Sequence, residues 1–238
     1  MSHIHLDGFT SAVAVQAPLF PPLTQVISHE IVGLFGRNGC GKSTLLAAIA
    51  GDRVPLQGTI TTDGRIGIMR QGAFAPGVSI ADALDVKESM ARLDRVEAGS
   101  ALSGDFEGAD WELPSRLDRA MTRYDLSDFA LDHAAACLSG GEQARVKLAA
   151  LLVAEPDILL LDEPTNDLDD AGREMVADLL KNWDGPALVA SHDRALLEEM
   201  DRIVELSPAG SISVGGGWSA FKEQRDAVRA QAQSALDD

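Results

Sequence analysis

The chain has 238 residues, enough for one large domain or two small ones, and 45% of them are apolar, enough for a real core. Its net charge of −17 and pI near 4.5 disfavour loose, sequence-blind binding to nucleic acid, and no Lys/Arg run forms an evident basic patch. No apolar run is long enough to span a bilayer, and the N-terminus lacks a basic stretch followed by an apolar one. Neither membrane insertion nor a signal peptide is expected, and the default compartment is the cytoplasm.

In chain order, Ile4–Gln16 is short, apolar and rich in Val and Ala, which predicts a strand followed by a turn at Pro18, Pro21 and Pro22. Ile31–Phe35 is a compact apolar run entering a Gly-rich loop, the pattern of a buried parallel strand. Thr44–Ala50 then predicts a helix closed by Gly51. Gly58–Arg70 alternates around Asp63-Gly64 and predicts a hairpin. Ile80–Tyr124 is mainly helical in pattern, with breaks at Gly99, Gly104, Gly108 and Pro114, and reads as a helical insert.

Glu142–Ala154 predicts a helix, and Ile158–Leu161 and Ala187–Ala190 predict buried strands. Helices are expected at Ala171–Asn182 and Ala195–Met200, with Ile203–Leu206 and Ser211–Val214 closing the sheet. From Phe221 the composition shifts to Ala, Gln, Arg and Glu. This favours a helix whose apolar face is thin (Phe221, Val228, Ala235), so it is expected to project or to pack weakly.

Gly36-Arg37-Asn38-Gly39-Cys40-Gly41-Lys42-Ser43 satisfies GxxxxGK[ST] between an expected strand and an expected helix. The glycines let backbone N–H groups curl around phosphate, and the helix N-terminus adds positive potential. Lys42 is placed to bridge β- and γ-phosphates. The Ser43 hydroxyl, with Thr44 beside it, is placed to hold magnesium.

The buried strand Ile158–Leu161 ends in Asp162-Glu163. Asp162 is expected to hold hydrated magnesium, and Glu163 to act as general base toward the attacking water. His192, just after another strand, can contact the γ-phosphate or that water. His3, His5, His29 and His133 read as structural. Gln71, at the end of Ile66–Gln71, has an amide that can reach magnesium and the water while leading into the helical insert. Cys40 and Cys137 lack CxxC spacing, which argues against a metal cluster or a disulfide framework. Each reads as a small residue that fits, with Cys40 the alternative candidate for thiol sensitivity.

With these motifs in place, the chain resembles the ATP-binding cassette superfamily over nearly its whole length. The most specific match is Leu138-Ser139-Gly140-Gly141-Glu142-Gln143, the superfamily's signature. The resemblance implies an α/β P-loop NTPase fold with a central, mainly parallel sheet, an N-terminal antiparallel β part and a helical subdomain. It implies magnesium-dependent ATP hydrolysis with a second cassette as partner. In the family the signature loop binds the γ-phosphate of nucleotide held by the opposite cassette. Ser139, the Gly140 and Gly141 amides and Glu142 are therefore expected to serve a partner's site, with Asp169 in the dimer-contact loop.

Thr165-Asn166-Asp167-Leu168-Asp169, Ser191-His192-Asp193-Arg194 and the tail Gly216–Arg225 are similar to the ABC-F branch of non-transport ATPases. That resemblance implies action on the ribosome, in translation or antibiotic resistance. It also implies one cassette over 1–220, with a helical subdomain at about 76–136, and a linker helix begun at 221–238. The family's adenine-stacking aromatic has no counterpart in Ser11–Gln16, which leaves Phe9 or Phe20 as substitutes and base selectivity open. Two other readings remain: the ATPase subunit of a membrane transporter, and an ATP-gated dimerisation module that hydrolyses little.

Overall fold

The computed structural model describes residues 2–11 and 18–237, with side chains to residue 227. Residues 12–16 of the expected first strand, and the side chains of Val228 and Ala235, lie outside the described residues. The chain divides into two compact units. The first comprises Met1–Arg70, Asp157–Thr165 and Ala177–Asp238; the second comprises Gln71–Pro156 and Asn166–Val176.

The first unit contains two sheets. In the smaller, β1 (His3–Thr10) lies between β2 (Leu23–Ile27) and β4 (Gln57–Asp63), antiparallel to both. Alternation along β1 sends Ile4 and Leu6 into the core at 0% and 1% exposure. The larger sheet has the order β5-β6-β7-β3-β8-β9, with β5 at Ile66–Met69, β6 at Ile158–Asp162 and β7 at Ala187–Ala190. β3 is Ile31–Phe35, β8 Arg202–Ser207 and β9 Gly210–Gly215. Every pairing in it is parallel except β8 with β9. β6 and β7 are buried along their whole lengths, which is why their sequences run apolar without alternation. Helix α1 (Lys42–Ile49) follows β3 and packs Leu45, Leu46 and Ile49 into one core with Leu34, Leu160 and Leu188.

The expected hairpin at Gly58–Arg70 does not form. Two strands flank Asp63-Gly64, but β4 joins the small sheet and β5 pairs in parallel with β6, Ile66 opposite Ile158. The clamp between Arg65 and Asp157 sets this register. The Arg65 amide donates to the Asp157 carboxylate (2.7 Å), and the Asp157 amide donates to the Arg65 carbonyl (2.8 Å).

In the second unit, Ser79 and Asp82 form a reciprocal capping box that starts α2 (Ile80–Ala83), followed by α3 (Lys87–Glu97) and α4 (Leu113–Arg123). Pro114 begins α4 rather than breaking a helix, because the first turn needs no amide donor. Leu113, Leu117, Ala120 and Met121 are the buried residues of α4, which packs on α5 (Gly140–Ala154). The segment between α3 and α4 is pinned by Asp105, which accepts two hydrogen bonds of 2.9 Å from Arg95. Helix α6 (Asp170–Lys181) crosses the division between units, and α7 (Arg194–Glu198) and α8 (Trp218–Asp237) belong to the first. Among the described residues, no helix is long and apolar enough to cross a membrane.

Candidate nucleotide site

The strand order sets β6, β7 and β3 side by side, so their carboxyl ends share one edge of the sheet. Two backbone bonds staple those ends together. The Glu163 amide donates to the Ala190 carbonyl (2.8 Å), and the Ser191 amide donates to the Leu34 carbonyl (3.2 Å). The loop after β3, the Asp162-Glu163 pair and Ser191-His192 therefore converge, as ligand-binding segments do in parallel α/β sheets.

Lys42 is only 6% exposed. Its ammonium donates to the Gly36 carbonyl (3.0 Å) and to His192 Nε2 (2.9 Å), and lies 3.8 Å from Glu163 Oε1. An ammonium has no lone pair, so Nε2 is the acceptor and this pairing assigns the imidazole proton to Nδ1. Glu163 adopts φ 49°, a left-handed backbone that non-glycine residues enter at a cost and that concentrates at functional sites. Its Oε2 accepts from the His192 amide (3.3 Å), and its Oε1 lies 3.5 Å from Nε2. Lys42, Glu163 and His192 thus form one cluster drawn from three separate stretches of chain.

Asp162 is 7% exposed, and its Oδ1 is buried with no hydrogen-bond partner. Burial pushes its carboxyl pKa up, against the opposing hydrogen bond from Ser43 and the charge of Lys42. An unpartnered carboxylate oxygen beside a hydroxyl is a donor set that suits a hard divalent cation. The residues present therefore fit magnesium, with Asp162 and Ser43 as those that would hold it.

The loop itself shows why glycine is needed. A Cβ at Gly36 would stand 2.5 Å from the Leu206 carbonyl oxygen and 2.7 Å from Cys40 Sγ. Gly39, at φ 81°, would meet nothing within 4 Å and leaves the loop tip open. Arg37, Asn38, Gly39 and Ser43 are exposed, Thr44 is half-buried, and Gly41 and the Cys40 thiol are buried. Phe9 and Phe20 do not offer an adenine platform. They are 0% and 1% exposed, with ring centroids 5.9 Å apart, so their faces are spent on the core.

In the second unit, Ser139 caps α5. Its hydroxyl and amide both donate to Glu142 Oε2 (2.7 Å each), and the Glu142 amide donates back to Ser139 Oγ (3.3 Å). The Ser139 hydrogen bonds hold the Glu142 carboxyl below its ordinary pKa. Gly140 sits against Asp167, where a Cβ would approach the Asp167 Cβ to 3.1 Å, and Gly141 is half-buried beside it. Asp169 accepts from the Gly172 amide (2.9 Å), which caps the start of α6. Gln71 is exposed at the beginning of this unit. Gln143 accepts from the Phe74 amide (3.0 Å) and donates to the Leu138 carbonyl (2.9 Å), tying the segment after Gln71 to the signature loop. Sequence reading gave Gln143 no such part; its fourth-residue spacing from Ser139 was the available signal.

The profile of the ABC transporter family matches residues 24–166. The chain is 30% identical to the tylosin resistance ATP-binding protein TlrC of Streptomyces fradiae, over 100% of this chain and 48% of that protein. It is 33% identical to the energy-dependent translational throttle protein EttA of Haemophilus influenzae, over 85% of this chain and 41% of that one. The chain thus spans less than half the length of these two relatives. A bacterial Atm1-family ABC exporter with ATP bound shares the fold, with a TM-score of 0.73 at 20% identity over 99% of this chain and 42% of that one.

Proposed function

Since the chain belongs to the ABC transporter family and is of its ABC-F type, we propose that it is an ATP-binding and ATP-hydrolysing cassette that closes on a second cassette around nucleotide and acts on the ribosome. The observation that carries the reading is the cluster of Lys42, Glu163 and His192 beside the unpartnered Asp162 oxygen, at the shared edge of β3, β6 and β7. Lys42 would pair with the β- and γ-phosphates. Glu163 would take a proton from the attacking water at its carboxylate, and His192 would orient the γ-phosphate or that water. Magnesium, when bound by Asp162 and Ser43, supplies positive charge at the phosphates. Gln71 would report on nucleotide from the segment tied to Gln143. Ser139, Gly140 and Gly141 would cap the phosphate held by the second cassette, with Asp169 at the contact between cassettes.

The names of the relatives, one a resistance protein and one a translational throttle, support translation as the setting. The test uses the Glu163→Gln variant with ATP and purified ribosomes, sedimented through a sucrose cushion. ATP-dependent co-sedimentation, absent with ADP, is expected. A variant that stays in the supernatant with either nucleotide removes the ribosome from the proposal.

A further inference from the structure

Behind His192 stands a second cluster that the phosphate chemistry does not use. Phe35, the last residue of β3, meets the imidazole edge-on, with centroids 5.8 Å apart and an interplanar angle of 71°. Trp218 and Phe221, from the first turn of α8, pack edge-on against Phe35 at 4.9 and 5.7 Å. Trp218 also carries the Arg194 guanidinium over its ring at 5.4 Å, and Arg194 lies two residues beyond His192. Trp218 thus touches both the ring beside the imidazole and the side chain of Arg194, which opens α7 two residues beyond His192.

This corner is fixed firmly. The Ser219 amide and hydroxyl both donate to Glu198 Oε2 (2.8 and 3.0 Å), which ties the start of α8 to α7. Arg225 lies over the rings of Phe35, Trp218 and Phe221 at 5.9, 5.7 and 5.4 Å, and its Nε is buried without a hydrogen-bond partner. With Asp226 Oδ1 3.9 Å from Nε, the guanidinium is shared between a carboxylate and the three ring faces, which its charge draws together. Phe221 is 0% exposed and anchors the first turn of α8 in the core, while Lys222, Glu223 and Gln224 after it are exposed.

We propose that Trp218 is a positioning residue for His192, holding the imidazole through Phe35 and Arg194 so that Nε2 faces Lys42 and the phosphate loop, and that α8 thereby senses what is bound there. The imidazole ring is at the molecular surface, with its side chain 40% exposed, so among the contacts described its orientation is set by this stack, the Lys42 contact and the Glu163 carboxylate 3.5 Å from Nε2. A group whose work depends on orientation loses rate when its rotamer is freed.

The inference rests on the ATPase reading, and the experiment separates the two. Trp218→Ala should lower kcat about tenfold with KM for ATP little changed, and Trp218→Phe should restore most of the rate. In a His192→Ala background, Trp218→Ala should cause no further loss. Arg194→Ala, which removes only one support, should lower kcat a few-fold and likewise have no effect without His192; it keeps the test open if Trp218→Ala fails to fold. In a chain carrying Trp111→Phe and Trp183→Phe, the emission of Trp218 should shift when ATP and magnesium are added, and His192→Ala should abolish the shift. Equal fold-losses with and without His192, or silent Trp218 emission while calorimetry shows ATP bound, would overturn the inference alone. No ATP binding by calorimetry would overturn it together with the ATPase reading.

Discussion

Lys42 Nζ and His192 Nε2 lie 2.9 Å apart although 150 positions separate them in the chain. The contact exists because β3 and β7 are hydrogen-bonded neighbours, so the residues following each strand emerge together. Two Lys42 donors are engaged, by the Gly36 carbonyl and the imidazole, and the third is available to phosphate. Lys42→Ala should therefore raise the Kd for ATP roughly 30-fold, the loss of one charge-assisted pairing of about 2 kcal/mol. Isothermal calorimetry checks this, and an unchanged Kd would contradict the phosphate-loop assignment.

Two glycines of the same loop should differ in their tolerance of a methyl group. Gly39→Ala meets no neighbour and pays only for left-handed backbone, about 1–2 kcal/mol. Gly36→Ala drives Cβ into the Leu206 carbonyl oxygen and should cost more than about 3 kcal/mol. Urea denaturation of the two variants gives the comparison; equal midpoints would mean that the loop is not packed as described.

Ser139 has a local role and a proposed one, and they separate by substitution. Ser139→Ala removes the cap of α5 and should cost about 1 kcal/mol of stability. Ser139→Arg should leave ATP binding by a single chain intact while blocking ATP-driven pairing of cassettes. Sedimentation equilibrium of Glu163→Gln with and without Ser139→Arg, at matched ATP, reads the pairing. An ATP-induced dimer that survives Ser139→Arg would exclude a shared site.

The Arg95 guanidinium beside Asp105 holds its carboxyl at about 2, well below the usual carboxylate range. Because the folded value is depressed, its stabilisation is fully present above about pH 4 and is lost as pH falls toward 2. Asp105→Asn should lower the melting temperature at pH 7, and the gap from wild type should narrow steadily below pH 4. A gap independent of pH would show that shape rather than charge pins the segment.

Much of this architecture was legible because each motif is a local string with a local job. Ile31–Phe35 followed by GRNGCGKS announces strand, loop and helix, and Leu159–Glu163 announces a buried strand ending in carboxylates. The left-handed backbone at Glu163 was not legible, since it depends on the staple to Ala190 from β7. The Asp63-Gly64 turn misled because a hairpin signal is local, whereas β5 takes its partner from β6, set by the Arg65–Asp157 clamp. The packing of α8 was hidden for the same reason. Trp218, Phe221 and Arg225 fall on one helical face, but the ring they cover, Phe35, lies at the opposite end of the sequence.

The most direct test of the central claim compares ATP binding and phosphate release in wild type and Glu163→Gln under identical conditions. If Glu163 is the base, the variant keeps its ATP affinity within a few-fold while phosphate release falls by about 10²–10⁴. Phosphate release at the wild-type rate by the variant would contradict the account, because the strained carboxylate at the end of β6 would then have no part in the chemistry.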